Sequence, residues 1–180
     1  TYKQVEKKSA SAALAFLSLG LRKGDRVSII ADKSLDYVWI YLGCLRAGLI
    51  FHPINPSYTT KELTYLLNDA NPRLLLLDPA AERKVRPVLG QLRVNLWMSM
   101  SMTVGKSFIE KMLDLESNAG SFQTISVKED ECAALLYSSG TTGKPKGIEI
   151  THRNLAVNVK ALVDTWKFGT KDTLVHALPI

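Results

Sequence analysis

Eleven consecutive residues, Tyr137-Ser138-Ser139-Gly140-Thr141-Thr142-Gly143-Lys144-Pro145-Lys146-Gly147, gather the groups that a polyphosphate requires. Gly140, Gly143 and Gly147 carry no side chain, so the backbone can bend there and approach a ligand closely. Ser138, Ser139, Thr141 and Thr142 supply four hydroxyls, each able to donate a hydrogen bond. Lys144 and Lys146 supply two cations, and successive free N–H groups in such a loop form an anion-binding concavity. The string is not a Walker A loop. Gly143-Lys144 match that pattern, but Ser138 stands where its first glycine belongs and Pro145 where its Ser/Thr belongs. A strand-like run rather than a helix follows, so the mechanism is not anion capture by a helix N-terminus. A polar hairpin loop without a ligand accounts for Thr-Thr-Gly-Lys alone, not for the whole string with its Pro-Lys-Gly ending.

The elements that must position this loop follow from hydrophobic period and punctuation. Helical spacing runs from Tyr2 to Leu19, with Gly20 as its stop, and Val27–Ala31 reads as a short strand. Ser34 is placed to cap a helix over Leu35–Ala47, ended by Gly48. Leu49–Ile54 is the next strand. Thr59 and Glu62 have capping-box spacing ahead of Leu63, Leu66 and Leu67, and Asn71-Pro72 closes that helix. Leu74–Leu77 is a continuous apolar run, as in a strand buried on both faces. Glu82–Leu92 predicts a helix interrupted by Pro87. Val94–Val104, with Met98, Met100 and Met102, alternates as a strand with one buried face. Gly105–Thr124 mixes a short helix with a polar loop. Ala133–Tyr137 and Ile148–Ile150 read as strands flanking the candidate loop. Thr151 is placed to cap a helix reaching Trp166, and Leu174–Leu178 predicts a last strand. This order implies an α/β class with layered, largely parallel sheets flanked by helices.

Composition narrows the function classes. The chain has 180 residues and a net charge of +6, with its basic residues scattered rather than clustered, which argues against a nucleic-acid module. No apolar stretch approaches the ~20 residues of a membrane span, and no signal peptide is visible. Cys44 and Cys132 read as buried free thiols of a reducing, intracellular compartment, cytoplasm or mitochondrion, and no Cys/His cluster suggests a metal site. His52 and His176 fall in apolar strands and read as hydrogen-bonded core histidines. For His152 two readings stay open: it orients the loop, or it simply begins a helix. Trp39, Trp97 and Trp166 read as core, and Tyr137 as a support beneath the loop.

The eleven-residue string resembles the phosphate loop of the adenylate-forming superfamily, which comprises acyl-CoA synthetases, amino-acid adenylation domains and luciferases. That family's pattern is an aromatic residue followed by Thr-Ser-Gly-Thr-Thr-Gly-x-Pro-Lys-Gly. Here Tyr137 fills the aromatic position, Ser138 replaces the Thr, and Ser139 to Gly147 match throughout. Thr151-His152-Arg153-Asn154-Leu155, Gly24-Asp25-Arg26-Val27, Leu45-Arg46-Ala47-Gly48 and Pro53-Ile54-Asn55-Pro56 extend the likeness over most of the chain. Within the superfamily, Asn55–Pro79 and His176-Ala177-Leu178-Pro179-Ile180 are most like malonyl-CoA synthetases.

The resemblance implies a large AMP-binding domain of which residues 1–180 form the incomplete N-terminal portion. It implies ATP and CoA as substrates, with Mg²⁺ accompanying ATP, and a small carboxylate such as malonate. Ser138 to Gly147 would hold the β- and γ-phosphates, Thr141 and Thr142 through hydroxyls and Lys146 through its charge. Lys144 stands at a position that varies in the family. The adenine and ribose motifs, the hinge and the catalytic lysine would follow Ile180, so this segment alone is expected to make no acyl-CoA. The alternatives are a non-catalytic nucleotide-binding relative, or an adenylation enzyme with another acyl acceptor.

Overall fold

The computed structural model describes residues 1–101, 107–138 and 144–173. Six helices and six strands alternate through them: α1 (Tyr2–Ser18), β1 (Arg26–Ile30), α2 (Leu35–Arg46), β2 (Ile50–Ile54), α3 (Thr60–Ala70), β3 (Leu74–Leu77), α4 (Pro79–Val85), β4 (Leu96–Ser99), α5 (Phe108–Asp114), β5 (Cys132–Ser138), β6 (Lys146–Thr151) and α6 (His152–Trp166). Short 3-10 turns follow α4 and α5. The strands form one sheet in the order β4-β3-β1-β2-β5-β6. The first five run parallel, and β6 returns antiparallel along β5. The α/β class with a largely parallel sheet is therefore observed.

Parallel neighbours require crossovers, and here the crossovers bury both faces of the sheet. One face packs α1, α2 and α5 through Phe16, Ile40, Cys44, Phe108 and Met112. The other packs α3 and α4 through Leu63, Leu66, Leu67, Ala81 and Val85. The Leu74–Leu77 run divides between them: Leu74 and Leu76 enter the first cluster, Leu75 and Leu77 the second. Helix α1 is rich in small residues where α2 crosses it. A Cβ on Gly43 would lie 2.4 Å from the Cβ of Ala12, so the close approach of α1 and α2 depends on that glycine.

Local signals act as read. Ser34 accepts from the Tyr37 N–H, and Thr59 and Glu62 form a capping box. Asn71 ends α3 in the left-handed region at φ 45°. Three expectations change. The helix over Glu82–Leu92 instead begins at Pro79, capped by Asp78, and tightens to a 3-10 turn at Arg86–Gln91, where Pro87 offers no N–H. Among the described residues of the Val94–Val104 run the strand is Leu96–Ser99, and both of its faces pack: Leu96 and Met98 touch the first cluster, Trp97 the second. Trp166 is not core. It is 62% exposed at the end of α6, none of whose residues is buried in the described chain. The predicted strand Leu174–Leu178, with His176, lies outside the described residues.

Candidate functional site

Strands β5 and β6 are the two limbs of a hairpin whose connection is the candidate loop. Ser138 pairs with Lys146, Tyr137 with Gly147, and Leu136 with Ile148. The chain thus enters the loop at the carboxyl end of β5. That is the end at which open α/β sheets bind ligands. Of the ten predicted site residues, Ser138, Lys144, Pro145, Lys146 and Gly147 fall within the description, whereas Ser139, Gly140, Thr141, Thr142 and Gly143 lie outside it.

The pleat sorts these residues. Ala134 and Ile150 contact the α1–α2 cluster, so their strand-mates Ser138 and Lys146, each four positions away, lie on that same face. Tyr137 takes the other face and packs with the α3 cluster. Lys146 is exposed, with its ammonium free to meet an anion. Gly147 has a packing reason beside any ligand reason. A Cβ there would come within 3.2 Å of Leu135 Cδ1 and 3.4 Å of Tyr137 Cζ, so its bareness accommodates the tyrosine ring.

Tyr137, read as a support beneath the loop, packs inward at the end of β5. Its ring lies 5.2 Å from the His52 ring, and its hydroxyl donates to Asp69 Oδ2 at 2.6 Å. Burial, then the Asp69 carboxylate, push the phenol well above its ordinary pKa, so it stays protonated and a donor. His52 is buried and hydrogen-bonded through Nδ1 to Ser28 Oγ at 2.7 Å, which matches a core histidine. Burial lowers its pKa to about 4, with the Arg26 cation adding to the shift and Asp69 opposing it.

Two residues escaped sequence reasoning. Tyr65 of α3 donates its O–H to the Pro145 carbonyl at 3.0 Å, and the Lys144 ammonium sits 5.7 Å from the Tyr65 ring centroid. Asp69 stands one helical turn later and holds Tyr137. Their i, i+4 spacing beside the apolar stripe of α3 was visible. What that flank would meet was not.

His152 begins α6 at the opposite end of β6 from the loop, which decides between its two readings. It lines a cavity of about 370 Å³ with Lys23, Gly48, Glu131 and Cys132, at the amino ends of the parallel strands. Cys132, read as buried, is only half-buried there, whereas Cys44 is wholly buried. A second cavity, of about 540 Å³, opens at the carboxyl ends of β1 and β2 between Asp32, Tyr37, Pro53 and Asn55. Among the described residues, no group of His, Cys, Asp and Glu is arranged to hold a metal ion, and no helix is long and apolar enough to cross a membrane.

The chain belongs to the AMP-binding enzyme family, whose model matches residues 1–180. Among solved structures it is similar to the ATP-bound MatB of Rhodopseudomonas palustris, with a TM-score of 0.82 and 34% identity over 99% of this chain and 35% of that one. It is also similar to the long-chain-fatty-acid–CoA ligase FadD1 of Archaeoglobus fulgidus, with a TM-score of 0.86 and 29% identity over 99% of this chain and 35% of that one. Among curated proteins, an oxalate–CoA ligase of Arabidopsis thaliana is 27% identical over 89% of this chain and 31% of its own length. The chain thus spans about a third of the length of each of these three relatives.

Proposed function

We propose that the β5–β6 loop holds the polyphosphate of Mg-ATP in an AMP-forming acid–thiol ligase. In the first step a carboxylate oxygen attacks the α-phosphorus, the bond to the bridging oxygen breaks, and pyrophosphate leaves from an acyl-adenylate. In the second, the CoA thiol attacks the acyl carbon, its proton is lost, and AMP departs from the thioester. The metal ion enters with the nucleotide as part of the substrate.

This chain's own part is electrostatic. Negative charge builds on the departing pyrophosphate, and donors fixed in place beforehand stabilise it without reorganising. The observation that carries the reading is the intact Ser139–Gly147 string on a β-hairpin at the carboxyl end of a parallel sheet. Lys146 supplies charge from the exposed face, and Ser138 and the loop hydroxyls, Thr141 and Thr142 foremost, supply donors. Residues 1–180 make up the N-terminal portion of the large domain. The adenine and ribose sites and a catalytic lysine belong to the remainder.

The acid is a short dicarboxylate, malonate first. The likeness of Asn55–Pro79 to malonyl-CoA synthetases supports this, as does similarity to a ligase named for oxalate. The test is AMP release by the full-length protein with CoA and a panel of malonate, methylmalonate, acetate and longer fatty acids. Turnover confined to malonate and its close analogues is expected. Preference for acetate or a fatty acid would discard the dicarboxylate and keep the ligase.

A further inference from the structure

We propose that one turn of α3 holds the two ends of the phosphate loop in place. Tyr65 and Asp69 would serve as positioning residues, and Lys144 would belong to this clamp rather than to the phosphate contacts. The inference rests on the phosphate-loop reading and deepens it.

The two limbs of the hairpin leave β5 and enter β6 with no helix of their own to anchor them. Helix α3 provides the anchor. Leu63, Leu66, Leu67 and Ala70 fix its inner face in the core, so the flank that carries Tyr65 and Asp69 is held rigidly. Asp69 grips the outgoing limb by accepting from the Tyr137 hydroxyl, one residue before Ser138. Tyr65 grips the returning limb by donating to the carbonyl of Pro145, one residue before Lys146. The span between the grips is the glycine- and hydroxyl-rich part of the string. Fixing the residues at its two ends beforehand lowers the ordering that binding must supply and is felt as nucleotide affinity.

The lysines then divide. The ammonium of Lys144 is drawn onto the Tyr65 ring face, where cation–π attraction holds it on the α3 side of the sheet. Lys146 begins β6 on the opposite face, with its ammonium exposed.

The experiment uses the full-length protein and five substitutions, Tyr65→Phe, Asp69→Ala, Asp69→Asn, Lys144→Gln and Lys146→Ala. Mg-ATP affinity is measured calorimetrically, KM for ATP and for the acid kinetically, and Tm by thermal melting. Tyr65→Phe and Asp69→Ala are each expected to weaken ATP about fivefold, the effect of one lost hydrogen bond, with KM for the acid within about twofold and Tm unchanged. Asp69→Asn, which keeps an acceptor, should restore most of the loss. Lys144→Gln should change ATP affinity by less than about threefold, and Lys146→Ala should lower it by more than tenfold. Wild-type ATP affinity in Tyr65→Phe and Asp69→Ala, beside a weakened Lys146→Ala, would overturn the clamp and leave the phosphate loop standing. Equal loss toward ATP and acid with a lowered Tm would also overturn it, as a purely structural role. If Lys146→Ala itself binds ATP normally, the loop reading fails first.

Discussion

His52 should make the sheet beneath the loop sensitive to mild acid. The imidazole is buried between β1 and β5, bonded to Ser28 and packed on Tyr137. Its pKa is lowered from 6.5 to about 4, by burial first and by the Arg26 cation second. A base whose folded pKa is depressed stabilises the fold fully above its unfolded pKa. That contribution is lost as pH falls from 6.5 toward 4, because the unfolded chain takes up the proton first. The full span is worth about 3 kcal/mol, and about 2 kcal/mol of it is gone by pH 5. The assay is hydrogen exchange of β2 peptides in the full-length protein at pH 7.5 and 5.0, corrected for intrinsic exchange, for wild type and His52→Asn. Wild-type protection should fall about thirtyfold more than that of the variant. Equal pH dependence in the two proteins would refute the claim that a neutral, buried His52 supports this strand.

Other perturbations have definite outcomes. Gly43→Ala drives a Cβ against Ala12 and its backbone, so it should destabilise the α1–α2 crossing by about 3 kcal/mol, read as a lowered Tm. Phe16→Ala removes a wholly buried ring whose centroid lies 4.6 Å from that of Phe108 and should cost about 4 kcal/mol in denaturant unfolding. Burial raises the Cys44 thiol well above its ordinary pKa, so mass mapping after brief alkylation of the native protein should find Cys132 modified well before Cys44.

The fold was legible wherever a local rule and burial agreed. Ser34, Thr59 and Thr151 cap the helices they were expected to cap, because a side-chain oxygen at an N-terminus acts over three residues and needs no tertiary context. Leu74–Leu77 was readable because a strand covered on both sides has no polar face to hide. The Met98-Ser99-Met100 alternation misled, since period two was taken for one wet face, whereas Trp97 packs as Met98 does on the other side. Trp166 misled because composition marks a ring as apolar without saying what covers it.

The candidate site was legible along the chain and illegible across it. The loop announces itself through contiguous residues, and Tyr137 was read as its support from its place in the string. Tyr65 and Asp69 lie some seventy to eighty residues earlier and reach the hairpin only because β2 pairs β5. Nothing local in α3 marks that meeting. Likewise, His152 could be separated from the loop only once β6 was seen to place them at its two ends.

The central claim is that the β5–β6 loop holds the phosphates during carboxylate activation. The most direct measurement is ATP–pyrophosphate exchange by the full-length protein with malonate and without CoA, for wild type and Lys146→Ala. The account predicts acid-dependent exchange in the wild type and a loss of more than tenfold in kcat/KM for ATP in the variant. Acid-dependent exchange that persists undiminished in Lys146→Ala would contradict it.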